Sequence, residues 1–253
     1  MAVDTLPDVA SRPWSARDTT QEKRPFIRRL FTEIAPQYDW FNRIVSCGLD
    51  LRWRDASLRW AGVAPGMRIL DVCAGTGDLA LACARRMRGQ GTVVGLDMTA
   101  AMLTRAQRKQ RRAGLSAGWT QADALALPFA EGAFDRVVIG FSTRNLSDLE
   151  AGIREMVRVL KPGGQLMILE TGRPANPVVR AGYYAFLFTI ARLVGVVLTG
   201  RLWPFTYLAR SVKGFLTPAE LTALLERAGT RAACRSYSGG LASGFLATKR
   251  AAA

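Results

Sequence analysis

Leu70-Asp71-Val72-Cys73-Ala74-Gly75-Thr76-Gly77-Asp78-Leu79 decides the fold. An apolar run enters a glycine turn, and Ala80 completes the spacing Gly75-x-Gly77-x-x-Ala80. Asp97 follows about 20 residues beyond Gly77, the fingerprint distance at which an acid holds a ribose. The pattern reads as strand, tight turn and helix N-terminus around an adenosyl ligand. NAD and S-adenosylmethionine both fit such a turn.

Working outward, strands and helices alternate from Met67 to Arg173. MRILDVC, TVVGLD, FDRVVIG and GQLMILE are short apolar runs, each set off by a helical stretch or a turn such as KPGG. Continuous apolar strands separated by helices predict a parallel sheet covered on both faces, a Rossmann-like doubly wound α/β fold. Upstream, residues 26–62 read as helices. Downstream, Thr217 and Pro218 open a helix, and RAACRSYS and ASGFLATKR read as closing strands. The polar, unperiodic start, residues 1–24, reads as a flexible tail without a secretory signal. Residues 25–250 then form one domain: a helical cap over 26–62, a core over 67–173, an apolar helical segment over 177–212 and a C-terminal unit over 217–249.

YYAFLFTIARLVGVVLTG, Tyr183 to Gly200, is nearly long enough to span a bilayer, but Arg192 interrupts it. A core or lid helix and an interfacial helix are the readings favoured over a span. Among 253 residues, 49% are hydrophobic, so a large core is available, and the formal net charge is +15. That charge suits an anionic membrane, a nucleic acid or an acidic ligand. The run Arg105 to Arg112, RAQRKQRR, reads first as a solvated helix face. It lacks the interleaved aromatics that single-stranded nucleic acid requires, so no nucleic-acid partner is expected. The four cysteines form no C-x-x-C pair and read as cytoplasmic thiols. The chain has no histidine, which leaves proton transfer to other groups and makes a zinc site improbable.

Three features favour S-adenosylmethionine over NAD. Asp78 stands where a pyrophosphate would meet the helix dipole, and Asp71 lies in the preceding strand. QADALALPF adds Asp123 and Ala124 on a loop suited to an adenine amino group. With LDVCAGTGDL, VVGLDMTAAML, FDRVVIGFSTRNL and VRVLKPGGQLMILE, these segments resemble the class I methyltransferases. APQYDWFN, GTGD, TRNL and LARSVKGF narrow the resemblance to the ubiquinone/menaquinone biosynthesis C-methyltransferases, over residues 28–248.

The resemblance implies a mostly parallel seven-stranded sheet, S-adenosylmethionine as methyl donor and no metal. It implies cofactor contacts from Gly75, Thr76, Gly77, Asp97, Asp123 and Ala124. It also implies C-methylation of a prenylated demethylquinol, with Arg144 and Asn145 orienting a water or stabilising the phenolate. The family's serine at the end of the strand before this pair falls on Gly140, so its side-chain contact is lost. Tyr38 is a candidate lid residue or an ordinary core tyrosine. A prenyl tail, the apolar helix and the cationic surface together suggest peripheral contact with the inner face of an anionic membrane. Methylation of a phospholipid amine, and a nonenzymatic adenosyl-binding partner, are the rival functions. A homodimer stays open, as does the choice between menaquinone and ubiquinone precursors.

Overall fold

A computed structural model describes residues 22–251. Among them, seven strands form one sheet in the order β3-β2-β1-β4-β5-β7-β6. β1 (Arg68–Val72), β2 (Thr92–Asp97), β3 (Gly118–Gln121), β4 (Phe134–Gly140) and β5 (Leu160–Thr171) run parallel. β6 (Thr230–Tyr237) and β7 (Ala242–Lys249) close the sheet antiparallel. Alternate residues of β1 serve opposite layers: Leu70 and Val72 pack with Ile139, Ile153 and Phe245, whereas Ile69 packs with Leu79, Cys83 and Leu169. Both faces are therefore cored, as the unbroken apolar strands require.

The connecting helices follow from local chemistry. α4 (Asp78–Met87) begins directly after Gly77, which holds the left-handed conformation at φ +82°. Asp148 caps α6 (Leu149–Arg158) by accepting the Ala151 N–H at 2.9 Å. Thr217 and Glu220 form a capping box on α10 (Pro218–Arg227). On α5 (Ala100–Ala113), Met102, Leu103 and Ala106 face inward. α1 (Lys23–Ile34), α2 (Tyr38–Val45) and α3 (Leu49–Trp60) lie ahead of the sheet. Ile27, Leu30 and Ile34 of α1 and Phe41 of α2 share a further core with Met102.

The tail expected over residues 1–24 lies mostly outside the described residues, but its last part is corrected. α1 starts at Lys23, which is fully buried and donates to the carbonyls of Arg144 (3.2 Å) and Leu146 (2.6 Å). Pro25 falls in the first turn, where a missing N–H costs no helical hydrogen bond. β3 carries no apolar run and is absent from the strands legible in sequence.

The apolar segment is not one helix. α7 (Pro177–Phe188) and α8 (Ile190–Thr199) meet at Thr189, whose φ −119° and ψ −81° break the helix. α9 (Trp203–Gly214) packs back on both. The approach of α8 to α9 is close enough that a Cβ on Gly195 would overlap the Phe205 ring. By length and composition alone, Pro177–Thr199 could cross a membrane, with a mean hydropathy of 1.7.

Candidate active site

The C-terminal ends of the parallel strands carry the site. In spatial order they present Asp123 after β3, Asp97 ending β2, the Gly75 turn after β1 and Gly140 ending β4. β1 and β4 flank the point where strand order reverses, the place where open α/β sheets hold ligands. A cavity lines up along this row, walled also by Asp71, Asp78, Arg54 and Tyr38.

Each acid has its own environment. Asp97 accepts the Gly75 N–H at 2.9 Å and the Thr99 N–H at 2.8 Å, so the turn and the acid are locked together. Burial pushes its carboxyl up against these bonds. Its remaining lone pairs are suited to vicinal hydroxyls. Asp123 accepts the Leu125 N–H at 3.0 Å and pairs with Arg24 of α1. Asp71 is buried and accepts the Ala80 N–H at 2.8 Å; burial pushes its carboxyl up to about 8. Asp71 thus pins the start of α4 and is largely protonated near neutral pH.

Asp78 requires a correction. It is not an uncompensated anion at the helix start, because Arg43 (2.6 Å) and Lys109 both pair with it. Burial works against the ionised form, but Arg54, Lys109 and Arg43 overcome it and depress its pKa. The argument against a pyrophosphate that rested on Asp78 is weaker for that reason. The charge run RAQRKQRR is likewise more than a solvated face. Lys109 also meets Asp39 at 3.0 Å, and Arg105 donates to the Pro36 carbonyl at 2.6 Å, tying α5 to the cap.

The two glycines have different reasons. Gly75, at φ +55°, has open space where a Cβ would lie, and it lines the cavity. Gly77 does not line it: a Cβ there would stand 2.6 Å from the Trp119 ring and 2.9 Å from Ala106. Its smallness serves helix–sheet packing. Thr76 and Ala124 both line the cavity, but the Thr76 hydroxyl donates to Asp39 of the cap at 2.5 Å.

Beyond β4, Thr143–Asn145 forms a single 3₁₀ turn that holds Arg144 and Asn145 buried. Arg144 donates to Glu170 at 2.5 Å and to the Phe141 carbonyl at 2.6 Å. Burial opposes its charge, yet Glu170 more than offsets this and holds its pKa above the ordinary arginine value. The Thr143 hydroxyl donates to the second Glu170 oxygen at 2.6 Å. Asn145 accepts from the Tyr207 hydroxyl at 2.9 Å, leaving its Nδ2 buried without a partner. Sequence reasoning missed Glu170, Tyr207 and Arg54. Glu170 ends GQLMILE, where a lone acid after an apolar strand was the available signal.

A second cavity, of about 440 Å³, adjoins the first and is mainly apolar. Phe41, Tyr183, Phe186, Phe205 and Leu208 are among its walls, with Arg144 at one side. Phe31, Tyr38, Arg54 and Asn145 line both cavities. Tyr38 therefore stands between them. Burial raises its pKa, so it remains a neutral phenol.

These elements have known counterparts. The model of the ubiE/COQ5 methyltransferase family matches residues 17–249. The chain belongs to the ubiE/COQ5 methyltransferase family. It is 42% identical to a demethylmenaquinone methyltransferase of Thermus thermophilus, over 79% of this chain and 90% of that one. It is 35% identical to the ubiquinone/menaquinone biosynthesis C-methyltransferase UbiE of Hahella chejuensis, over 91% and 96%. A solved S-adenosylmethionine-dependent methyltransferase of Thermotoga maritima, described as a possible histamine N-methyltransferase, shares the fold at TM-score 0.60. That match has 17% identity and covers 88% of this chain and all of the other. As a ubiE/COQ5 enzyme, the chain is an S-adenosylmethionine-dependent methyltransferase.

The first cavity fits that donor in chemistry. It offers acids along its length and the open space beside Gly75. The cap reaches this cavity through Arg24–Asp123 and Asp39–Thr76.

Proposed function

We propose that this enzyme transfers a methyl group from S-adenosylmethionine to a ring carbon of a prenylated demethylquinol, within a single catalytic domain. The observation that carries the reading is the junction of two unlike cavities beside Arg144 and Asn145: one acid-lined, one apolar. The demethylmenaquinone and UbiE names of the relatives support it, as does the 2-phytyl-1,4-naphtoquinone methyltransferase of Synechocystis, 35% identical over 91% of this chain.

When bound, the donor supplies a methyl group already activated by its sulfonium. Asp97 is the ribose acceptor, and Asp123 with Ala124 borders the adenine. Gly75 and Thr76 contribute backbone to the same cradle, while Gly77 positions the turn. The apolar cavity takes the quinol ring and the first part of its prenyl chain. Arg144, fixed in its charged state by Glu170, stabilises negative charge on the ring oxygen, which raises electron density at the ring carbon. An arginine held this way is no proton acceptor. Asn145 keeps its unpartnered Nδ2 at the boundary, where it orients the ring or a water. That water takes up the phenolic proton and, once the methyl–sulfur bond has broken and the new carbon–carbon bond has formed, the ring proton.

We further infer contact with an anionic membrane. From Thr171 to Ala219 the chain has six basic residues, Arg173, Arg180, Arg192, Arg201, Arg210 and Lys213, and no acid. That stretch also exposes Val178, Ile190, Leu193 and Val197, beside Trp40 and Ile44 of α2. Apolar exposure beside basic residues is the combination an anionic interface binds.

The deciding experiment incubates the protein with labelled methyl donor, a demethylmenaquinol, a demethylated ubiquinol precursor and phosphatidylethanolamine. Label is expected in a quinol. Label in the phospholipid, or binding of donor with no product from any acceptor, would overturn the assignment.

A further inference from the structure

Arg54 of α3 acts through its charge on Asp78, yet it makes no close hydrogen bond through its Nε. It is buried at the junction of the two cavities. Its one ion-pair partner among the described residues, Asp50, stands off at 3.9 Å and is itself held by Arg43 and by the Ser46 hydroxyl. The guanidinium carbon lies 5.1 Å from the centre of the Phe141 ring. Beside it, Gly140 has no left-handed backbone to explain it; a Cβ there would stand 2.9 Å from Arg54 Nη1. The absence of a side chain at Gly140 leaves room for the guanidinium.

Strand order tells what that cation meets. Neighbouring strands lie roughly 4.8 Å apart, so the row from β3 to β4 spans about 14 Å. An adenosyl ligand with its base at Asp123 and its ribose at Asp97 must carry its amino-acid end past the Gly75 turn toward Gly140. That end bears one carboxylate. Of the acids lining the cavity there, Asp71 is largely protonated and Asp78 is already paired with Arg43 and Lys109. The cavity's other arginine, Arg24, sits at the opposite end on Asp123.

We propose that Arg54, in the space left by Gly140, binds the α-carboxylate of the methyl donor's methionyl end. The inference rests on the donor reading of this cavity. Arg54 thereby fixes the far end of the donor and sets where the sulfonium methyl faces the boundary with the apolar cavity.

The test is calorimetric titration with S-adenosylhomocysteine and with its decarboxylated form, on the full chain without acceptor. The wild type is expected to prefer the carboxylated ligand by roughly 10- to 100-fold, the range of a charged hydrogen bond. Arg54→Gln should erase that preference while binding the decarboxylated ligand as before. Gly140→Ala, which leaves Arg54 in place but crowds it, should reduce the preference, and it serves if Arg54→Gln does not fold. Equal weakening of both ligands by the folded variants, or an unchanged preference, overturns the assignment. A wild type that binds neither ligand sinks the donor reading itself, whereas one that binds both equally sinks only the role of Arg54.

Discussion

Arg144 and Glu170 are a buried ion pair, and removing one member leaves the other uncompensated. Breaking such a pair costs about 3–5 kcal/mol. Arg144→Gln is therefore expected to lower stability by that order and kcat by about 10²–10³-fold. Its affinity for S-adenosylhomocysteine should change little, because Arg144 does not line the donor cavity. The double variant Arg144→Gln, Glu170→Gln should recover much of the stability and none of the turnover; urea unfolding and single-turnover rates separate the two effects. Asp71 gives a pH signature. Its carboxyl binds a proton up to about pH 8 in the folded chain but only in the ordinary carboxylate range when unfolded. Between those values the folded state holds the extra proton, so stability falls as pH rises, by up to about 1.4 kcal/mol per unit, and levels off above about 8. Asp71→Asn keeps an oxygen for the Ala80 N–H and should flatten that part of the urea-midpoint profile against pH.

Among the elements, the cap decides access. Arg24 on α1 pairs with Asp123, the acid proposed to border the adenine, so the donor competes with it there. The pair is half-exposed at Arg24, where such bridges contribute about 0.2–1 kcal/mol. Arg24→Ala should thus tighten S-adenosylhomocysteine binding by up to about five-fold and leave the quinol KM unchanged; no change, or weaker binding, would mean that Arg24 holds the cavity's shape. The sheet's inner strands were legible because apolar runs, glycine turns and caps agree on the same boundaries. β3 was not, since Gly118-Trp-Thr-Gln121 is four residues long and its Trp119 works by packing on Gly77 and Gly95. The break at Thr189 was hidden because no glycine or proline marks it, although α9 packs on both halves. Arg144 and Asn145 were recognisable only through the family resemblance, whereas Glu170 and Arg54 acquire meaning only when distant segments meet.

At the scale of the molecule, positive charge and exposed apolar side chains coincide along α7 and α8. Cosedimentation with vesicles rich in phosphatidylglycerol should capture the wild type at low salt, and binding should weaken with added salt. Leu193→Ser with Val197→Ser should reduce capture several-fold without altering donor affinity, as both are exposed and lie away from the donor cavity. Equal capture on neutral vesicles would remove the electrostatic part of the proposal. The shared wall of Phe31, Tyr38, Arg54 and Asn145 bears on how unlike reactants meet. A zwitterionic metabolite and a greasy isoprenoid have no common solvent, and here the phase boundary between them is drawn inside the protein, one side chain thick. Only a methyl group has to cross it.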